Sequence, residues 1–376
     1  MSWLIGQQRY RALPLSPPLR HSSTDATACG AYAVPVNALV YTEEELLRDH
    51  ADLAPHVVAG RRLHGGFHPD GTYQPPRALV RVPALEAWTH ALLARGGRPL
   101  NADSSLLNGA RLPTVEQSRV LLRNGLGQTF WNTLTITGKI EARGRLLAEV
   151  EFPALAPHIV DDISMMAIGH LGKGLLKAHG WDEGGVTDPV DGAIGAHDVM
   201  WFVARDLAFG TDAYPDADPP GNIARPEAGD RVMPEVAPEV EGLLSLLMNL
   251  LVIEFRAEIG FAETQALLRT PSLFVDRRAQ AEQAAEIVGR IRTDEEIHVS
   301  SLCLYLGECA SVAFRTVDGG TIAGSELIER FWSGLVQWAT VDQPVLAAAV
   351  QRDLLHSRVL EHPAAADVWA QFESAA

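Results

Sequence analysis

Two long helix-patterned stretches, residues 238–269 and 276–314, are separated only by the break "TPSLF", and nothing else in the chain constrains its fold as much. So short a connection makes the two helices antiparallel neighbours. The first contains "LLSLLMNLLVIEF" at residues 243–255, apolar except for Ser245, Asn249 and Glu254. A helix that is hydrophobic nearly all round is buried. An ionised carboxylate there costs on the order of several kcal/mol unless it is paired or ligates a cation. Arg256, two positions on, points to the opposite side of the helix. Glu254 therefore needs either an arginine from a neighbouring helix or a metal ion.

The second helix repeats the problem in the stretch "IRTDEEIHVSSL", residues 291–302. Glu295 and His298 share a face with Val288, Ile291, Leu302 and Tyr305 by steps of three and four, whereas Glu296 falls on the other side with Arg292 and Ser300. The spacing alone decides nothing. A chain with 47 acidic residues and 13 histidines yields acid-x-x-His by chance, and Asp353/His356 is a second instance. The inward direction is what matters, and either a mutual Glu–His hydrogen bond or metal ligation would satisfy it. Glu254 lies about fifteen residues before its helix ends and Glu295 about nineteen after the next begins. At 1.5 Å per residue these depths differ by about 6 Å, roughly one turn. One carboxylate plus Glu-x-x-His from an adjacent helix is the half-site of carboxylate-bridged two-metal bundles.

Upstream, residues 1–113 are rich in proline, glycine and turn signals such as "PLSPPL" and "HGGFHPDGTY", with short helices expected at "TEEELLRDHADL" and "PALEAWTHALLARG". His64 and His68 in "HGGFHPDG" could bind a metal or substrate, or simply belong to a turn-rich loop. From residue 114 a helical pattern takes over, with Pro113 or Thr114 as its start. A helix is expected over residues 157–179, stopping at the glycines of "GWDEGG", and another over 196–210. Residues 211–235 read as a long crossover, and 316–376 as a helical hairpin turning at "TVDQP". The expected organisation is an irregular region at 1–113, a helical bundle at 114–315 and a C-terminal hairpin at 316–376 packed on the bundle.

A formal net charge of −16 argues against nucleic acid or an anionic membrane as partner. Three cysteines, Cys29, Cys303 and Cys309, lie outside C-x-x-C spacing and suggest a reducing compartment, hence a cytoplasmic protein. The first residues lack a signal-peptide core, and the most apolar run is too short to span a membrane. No phosphate loop, dinucleotide fingerprint, nucleophile elbow or Cys/His zinc cluster is present.

With Glu254, the "EEIH" of residues 295–298 and the order pair–crossover–pair, residues 155–315 resemble the ferritin-like superfamily of di-iron and di-manganese carboxylate proteins. The resemblance is one of pattern and covers under half the chain. It implies a mainly α fold: a ferritin-like four-helix bundle with a loop-rich N-terminal region and an extra C-terminal hairpin. The family pattern asks the first helix pair for another Glu and another Glu-x-x-His, and this chain departs from it. His170 in "MMAIGHLGKG" and Asp206 in "WFVARDLAFG" are level with each other and complete the expected ligand set Glu254, Glu295, His298, His170 and Asp206. Each could equally be an ordinary core residue. Asp161, Asp162 and His197 are further candidates, and Glu329 with Asp353 and His356 forms a competing half-site. Glu141 stands beside Arg143 and Arg145, which suggests a solvated face.

The resemblance implies two iron ions, or manganese, and dioxygen activation toward a small organic substrate. An external electron donor, a reductase, is expected because no flavin or Fe–S motif is visible. A homodimer is compatible with the sequence. Met165, Met166, Trp201 and Phe202 are expected to line an apolar pocket, or to be plain core. Two other readings stand beside this one: a non-catalytic helical binding or assembly protein with buried Glu–His networks, and a metal-dependent hydrolase using the same ligands.

Overall fold

The computed structural model describes residues 39–107, 109, 112–186, 194–221, 223–225 and 231–376. Cys29 and part of the crossover lie outside the described residues. The chain is mainly helical. A short helix α1 (Glu43–Leu46), closed by a capping box at Thr42, precedes strands β1 (Ala54–Val58), β2 (Arg61–Phe67) and β3 (Tyr73–Gln74), which form an antiparallel sheet. Helix α2 (Ala78–Ala94) follows, then α3 (Val115–Arg123), whose Thr114/Gln117 capping box fixes the start expected there. Next come α4 (Gln128–Gly144), α5 (Leu146–Glu149), α6 (Leu176–Gly184) and α7 (His197–Phe209).

The two long helices are α8 (Pro238–Leu268) and α9 (Arg278–Ala310), packed side by side. Helix α4 packs on α7, and α7 on α9, while α6 lies against α4. A small hairpin, β4 (Ala313–Arg315) and β5 (Thr321–Ala323), leads to α10 (Gly324–Gln337), α11 (Gln343–Leu360) and α12 (Ala365–Ser374). None of the described helices is long and apolar enough to cross a membrane.

Three expectations change. The single helix over 157–179 breaks into 3-10 turns at Ala156–His158 and Ala167–His170 and a π-turn at Leu171–Leu175, with a kink at Lys173 and Gly174. Gly174 holds φ +114°, which side-chain-bearing residues rarely adopt. The ordered helix begins only at Leu176 and runs on through Asp182 and Glu183 to stop at Gly185, φ +76°. In the C-terminal region the chain stays helical through a π-turn at Trp338–Asp342 where a tight reversal was expected; Pro344 sits in the first turn of α11, where its missing N–H costs little. The N-terminal region contributes a three-stranded sheet, which its turn-rich composition did not reveal.

The apolar core is divided. One cluster takes α8 as far as Phe255 and α9 from Leu302 onward; a second takes α8 from Ala257 and α9 up to Ile291. Glu254, Glu295 and His298 lie at the seam between them.

Candidate metal centre

Helix α9 presents Val288, Ile291, Glu295, His298, Leu302 and Tyr305 to the interior and leaves Glu296 exposed. The structure brings Glu295 and His298 together with Glu254, all three buried. Around them stand Glu141 from α4, His179 and Glu183 from α6, and His197 from the start of α7. His179 and Glu183 lie four apart on one face of α6.

These seven side chains form two overlapping quartets. His179, Glu183, Glu254 and His298 make one; Glu141, Glu183, His197 and Glu295 make the other; within each, the ligand-type atoms lie within 4.8 Å of one another. Glu183 belongs to both. Its Oε1 is 3.0 Å from His298 Nδ1, 3.6 Å from His197 Nδ1 and 3.7 Å from His179 Nε2. His179 Nε2 is 3.0 Å from Glu254 Oε1, and its ring stacks on that of His298 at 3.9 Å. His298 Nδ1 lies 2.8 Å from Glu295 Oε2, and His197 Nδ1 3.3 Å from Glu295 Oε1. Glu183 Oε1, Glu295 Oε1 and His197 Nδ1 are buried and make no hydrogen bond. Unpaired buried polar atoms cost free energy. Three of them converging on one volume fit the donor set of a cation.

Behind the ligands two aspartates hold the imidazoles. His298 Nε2–H donates to Asp182 Oδ2 at 3.2 Å, and His197 Nε2–H donates to Asp294 Oδ2 at 3.1 Å. Asp182 is gripped in turn by Arg77 Nε at 2.8 Å and Arg81 Nη2 at 2.6 Å; Asp294 accepts from the Tyr73 hydroxyl at 3.0 Å. A histidine whose outer nitrogen donates to a carboxylate keeps its inner nitrogen free for a metal.

Electrostatics follow the layers. Burial, with Glu141 and Glu295 beside it, pushes the Glu183 carboxyl well above its usual range, and burial with Glu295 raises Glu254 to about 7. Glu295 is raised by burial too. For Glu141, burial is outweighed by the neighbouring Glu183 carboxyl and the His197 imidazole, whose Nδ1 is 3.7 Å from Glu141 Oε2, and the carboxyl is lowered. Asp182 is buried as well, but Arg77 and Arg81 hold it well below the carboxylate range. Burial and the neighbouring His298 depress His179 to about 4. Four close carboxylates must share protons when no cation lies among them.

The other expected ligands lie elsewhere. His170 is a core histidine: its Nε2 accepts from the Tyr41 backbone N–H at 3.1 Å, its Nδ1 lies 2.8 Å from the Met166 carbonyl, and its ring packs on Trp88. The broken helix carries it away from the cluster. Asp206 pairs with Arg205 at 2.9 Å near the surface end of α7. Asp161 and Asp162 cap backbone N–H groups in exposed loops. Glu329, Asp353 and His356 are exposed and form no cluster. Met165 is exposed, Met166 belongs to the first apolar cluster, and Trp201 packs edge-on against Phe261 in the second, while the Phe202 ring lies under the Arg205 guanidinium. Those four residues do not share one packing cluster.

Glu141 overturns its sequence reading. It is buried at the cluster, while Arg143, two positions on, faces the other way and donates to the Pro220 carbonyl at 2.7 Å. His197 and His64, weighed only as secondary candidates, do stand at the site; His64 Nε2 is 3.2 Å from Asp294 Oδ2, whereas His68 bonds Gln74. His179, Asp182, Glu183 and Asp294 escaped sequence reasoning altogether. The available signal was the doublet Asp-Glu, present in "WDEGG" and "TDEEIH", whose Glu faces the ligand volume and whose Asp supports a histidine. No family model, curated protein or solved structure matches the chain.

Proposed function

We propose that this chain is a non-haem two-metal oxidoreductase of ferritin-like character, holding two iron ions, or manganese, and using dioxygen to oxidise a small organic substrate. The observation that carries the reading is Glu183, shared by two ligand quartets with an unpartnered Oε1 between them. Charge supports it. Four glutamates with Asp182 and Asp294 carry six negative charges when ionised, and Arg77 and Arg81 offset two. Two divalent cations balance the remaining four.

Carboxylate and imidazole without thiolate suit iron and manganese. Such ions, when bound, supply the electrons that reduce dioxygen. The chain's own residues do the rest. Glu183, common to both quartets, would serve both ions; Glu141, Glu254 and Glu295 would supply negative charge from three helices, and His179, His197 and His298 one nitrogen each. Burial of the whole set between two apolar clusters keeps bulk water from the centre. A purely structural polar network would be closed by arginines. Here the guanidinium groups bond Asp182, one layer behind the glutamates. We assign the protein to the cytoplasm, where a reductase can serve as electron donor and where the free buried thiols Cys303 and Cys309 persist.

Anaerobic loading with ferrous ion followed by a pulse of dioxygen tests the reading. Oxygen uptake in proportion to protein, faster than with free ferrous ion and abolished in Glu183→Ala, is expected. Two bound ions with uptake no faster than free ferrous ion would replace it with a non-redox role such as hydrolysis.

A further inference from the structure

We infer that residues 64–81 act as a positioning clasp for two metal-ligating histidines, with Arg77 and Arg81 acting through Asp182 on His298, and Tyr73 and His64 acting through Asp294 on His197. The inference rests on the two-metal reading and deepens it.

The clasp is one contiguous piece of chain, far in sequence from everything it holds. Its register is set by backbone contacts. His64 N–H donates to the Gly195 carbonyl at 2.8 Å and Gly195 N–H to that of Arg62 at 2.9 Å, tying strand β2 to the residues just before His197. At the other end Arg77 takes a left-handed conformation, φ +51°, as the residue before α2, with its N–H bonded to Asp49 Oδ1. That turn, which a non-glycine residue adopts only at a cost, sends the Arg77 side chain to Asp182. Arg81, one helical turn on, reaches the same carboxylate. The two arginines take different oxygens of Asp182: Arg77 Nε bonds Oδ1, and Arg81 Nη2 bonds Oδ2, the oxygen that also receives His298 Nε2–H.

On the other aspartate, Oδ2 receives the Tyr73 hydroxyl at 3.0 Å and His197 Nε2–H at 3.1 Å, and His64 Nε2 lies at 3.2 Å. Tyr73 and His197 are both donors to this oxygen, so the carboxylate is the acceptor for each. Both aspartates are immobilised from the clasp side, and each fixes one imidazole with Nε2–H outward and Nδ1 facing Glu183 and Glu295. Losing such an outer partner typically lowers metal affinity by about 10–100-fold.

The test uses full-length protein loaded with zinc, which is diamagnetic. Zinc affinity is read by competition with a chromophoric chelator, and histidine tautomers by ¹⁵N NMR. Tyr73→Phe removes one hydroxyl with little change of shape; Arg81→Gln removes a guanidinium, and Arg81→Lys restores the charge. The clasp predicts a loss of affinity on the order of tenfold or more in Tyr73→Phe and Arg81→Gln, partial recovery in Arg81→Lys, and a shifted Nε2–H signal from the histidine behind each altered contact. Unchanged affinity and tautomers in these variants, with zinc lost from Glu183→Ala, would overturn the clasp and leave the two-metal reading standing. No zinc in the unaltered protein would overturn both. A third zinc equivalent lost in His64→Gln would make His64, His197 and Asp294 a ligand set, also overturning the clasp.

Discussion

Glu141 and Arg143 stand two positions apart on α4, and the roughly 200° between them around the helix axis sends one to the buried Glu/His cluster and the other to the surface. The same geometry separates Glu254 from Arg256. On the two-metal reading, elemental analysis should find two bound ions per chain in the unaltered protein and one in Glu141→Ala. Arg143→Ala should keep both ions and shift stability by no more than about 0.5 kcal/mol. Equal metal loss in both variants would show that burial of Glu141 has no bearing on binding. Sequence made Glu254, Glu295 and His298 legible because each interrupts an apolar stripe on a long, periodic helix. Glu141 is legible by the same two-residue step, which turns it away from Arg143 as Glu254 is turned away from Arg256. Glu183 was not, since two glycines follow it and the stretch reads as a helix stop.

Among the elements, α6 shows why the first half of the site was hard to read. It has nine residues and follows a kink that depends on Gly174, where an added Cβ would strain the backbone and meet Glu43 at 3.3 Å. Gly174→Ala should cost about 1–2 kcal/mol, seen as a lower Tm; an unchanged Tm would mean that the kink is not required. The β-hairpin carries its own pH dependence. His56 Nδ1–H donates to the His64 carbonyl at 3.1 Å while its Nε2 accepts from Arg290 at 2.7 Å, so the ring is held neutral. Burial lowers its pKa from 6.5 to about 4. Because the unfolded chain takes up the proton first, this contribution is complete above about pH 6.5 and is lost as the pH falls toward 4, to a total of about 3 kcal/mol. Thermal unfolding followed from pH 7 to 4.5 should show a shallower loss in His56→Gln than in the unaltered protein. A parallel loss in both would exclude His56 as the source. No turn-rich loop announces such a segment: the contacts of residues 64–81 to Asp182 and Asp294 cross more than 100 residues of chain, and local pattern carries no information over that separation.

Across the whole molecule, two apolar clusters meet at a seam filled with carboxylates and imidazoles. The helical class and the α8–α9 pair were legible because hydrophobic periodicity persists over some thirty residues in each. The contacts from residues 64–81 to Asp182 and Asp294, and the place of Glu183 in both quartets, arise only when distant elements pack. Without cations, the seam holds four glutamates that must be protonated or repel one another. Metal binding to the folded state alone should therefore raise stability, by about 2.7 kcal/mol at a free concentration 100-fold above Kd. Scanning calorimetry with and without a chelator should show a higher Tm for the loaded protein, and coincident transitions would argue against a folded-state site.

The most direct measurement is the metal content of protein purified without chelator or metal-affinity tag, beside Glu183→Ala prepared identically. The account predicts two iron or manganese ions per chain in the unaltered protein and loss of both in the variant, since Glu183 belongs to both ligand quartets. Absence of stoichiometric metal from the unaltered protein, even after anaerobic ferrous loading, would contradict it.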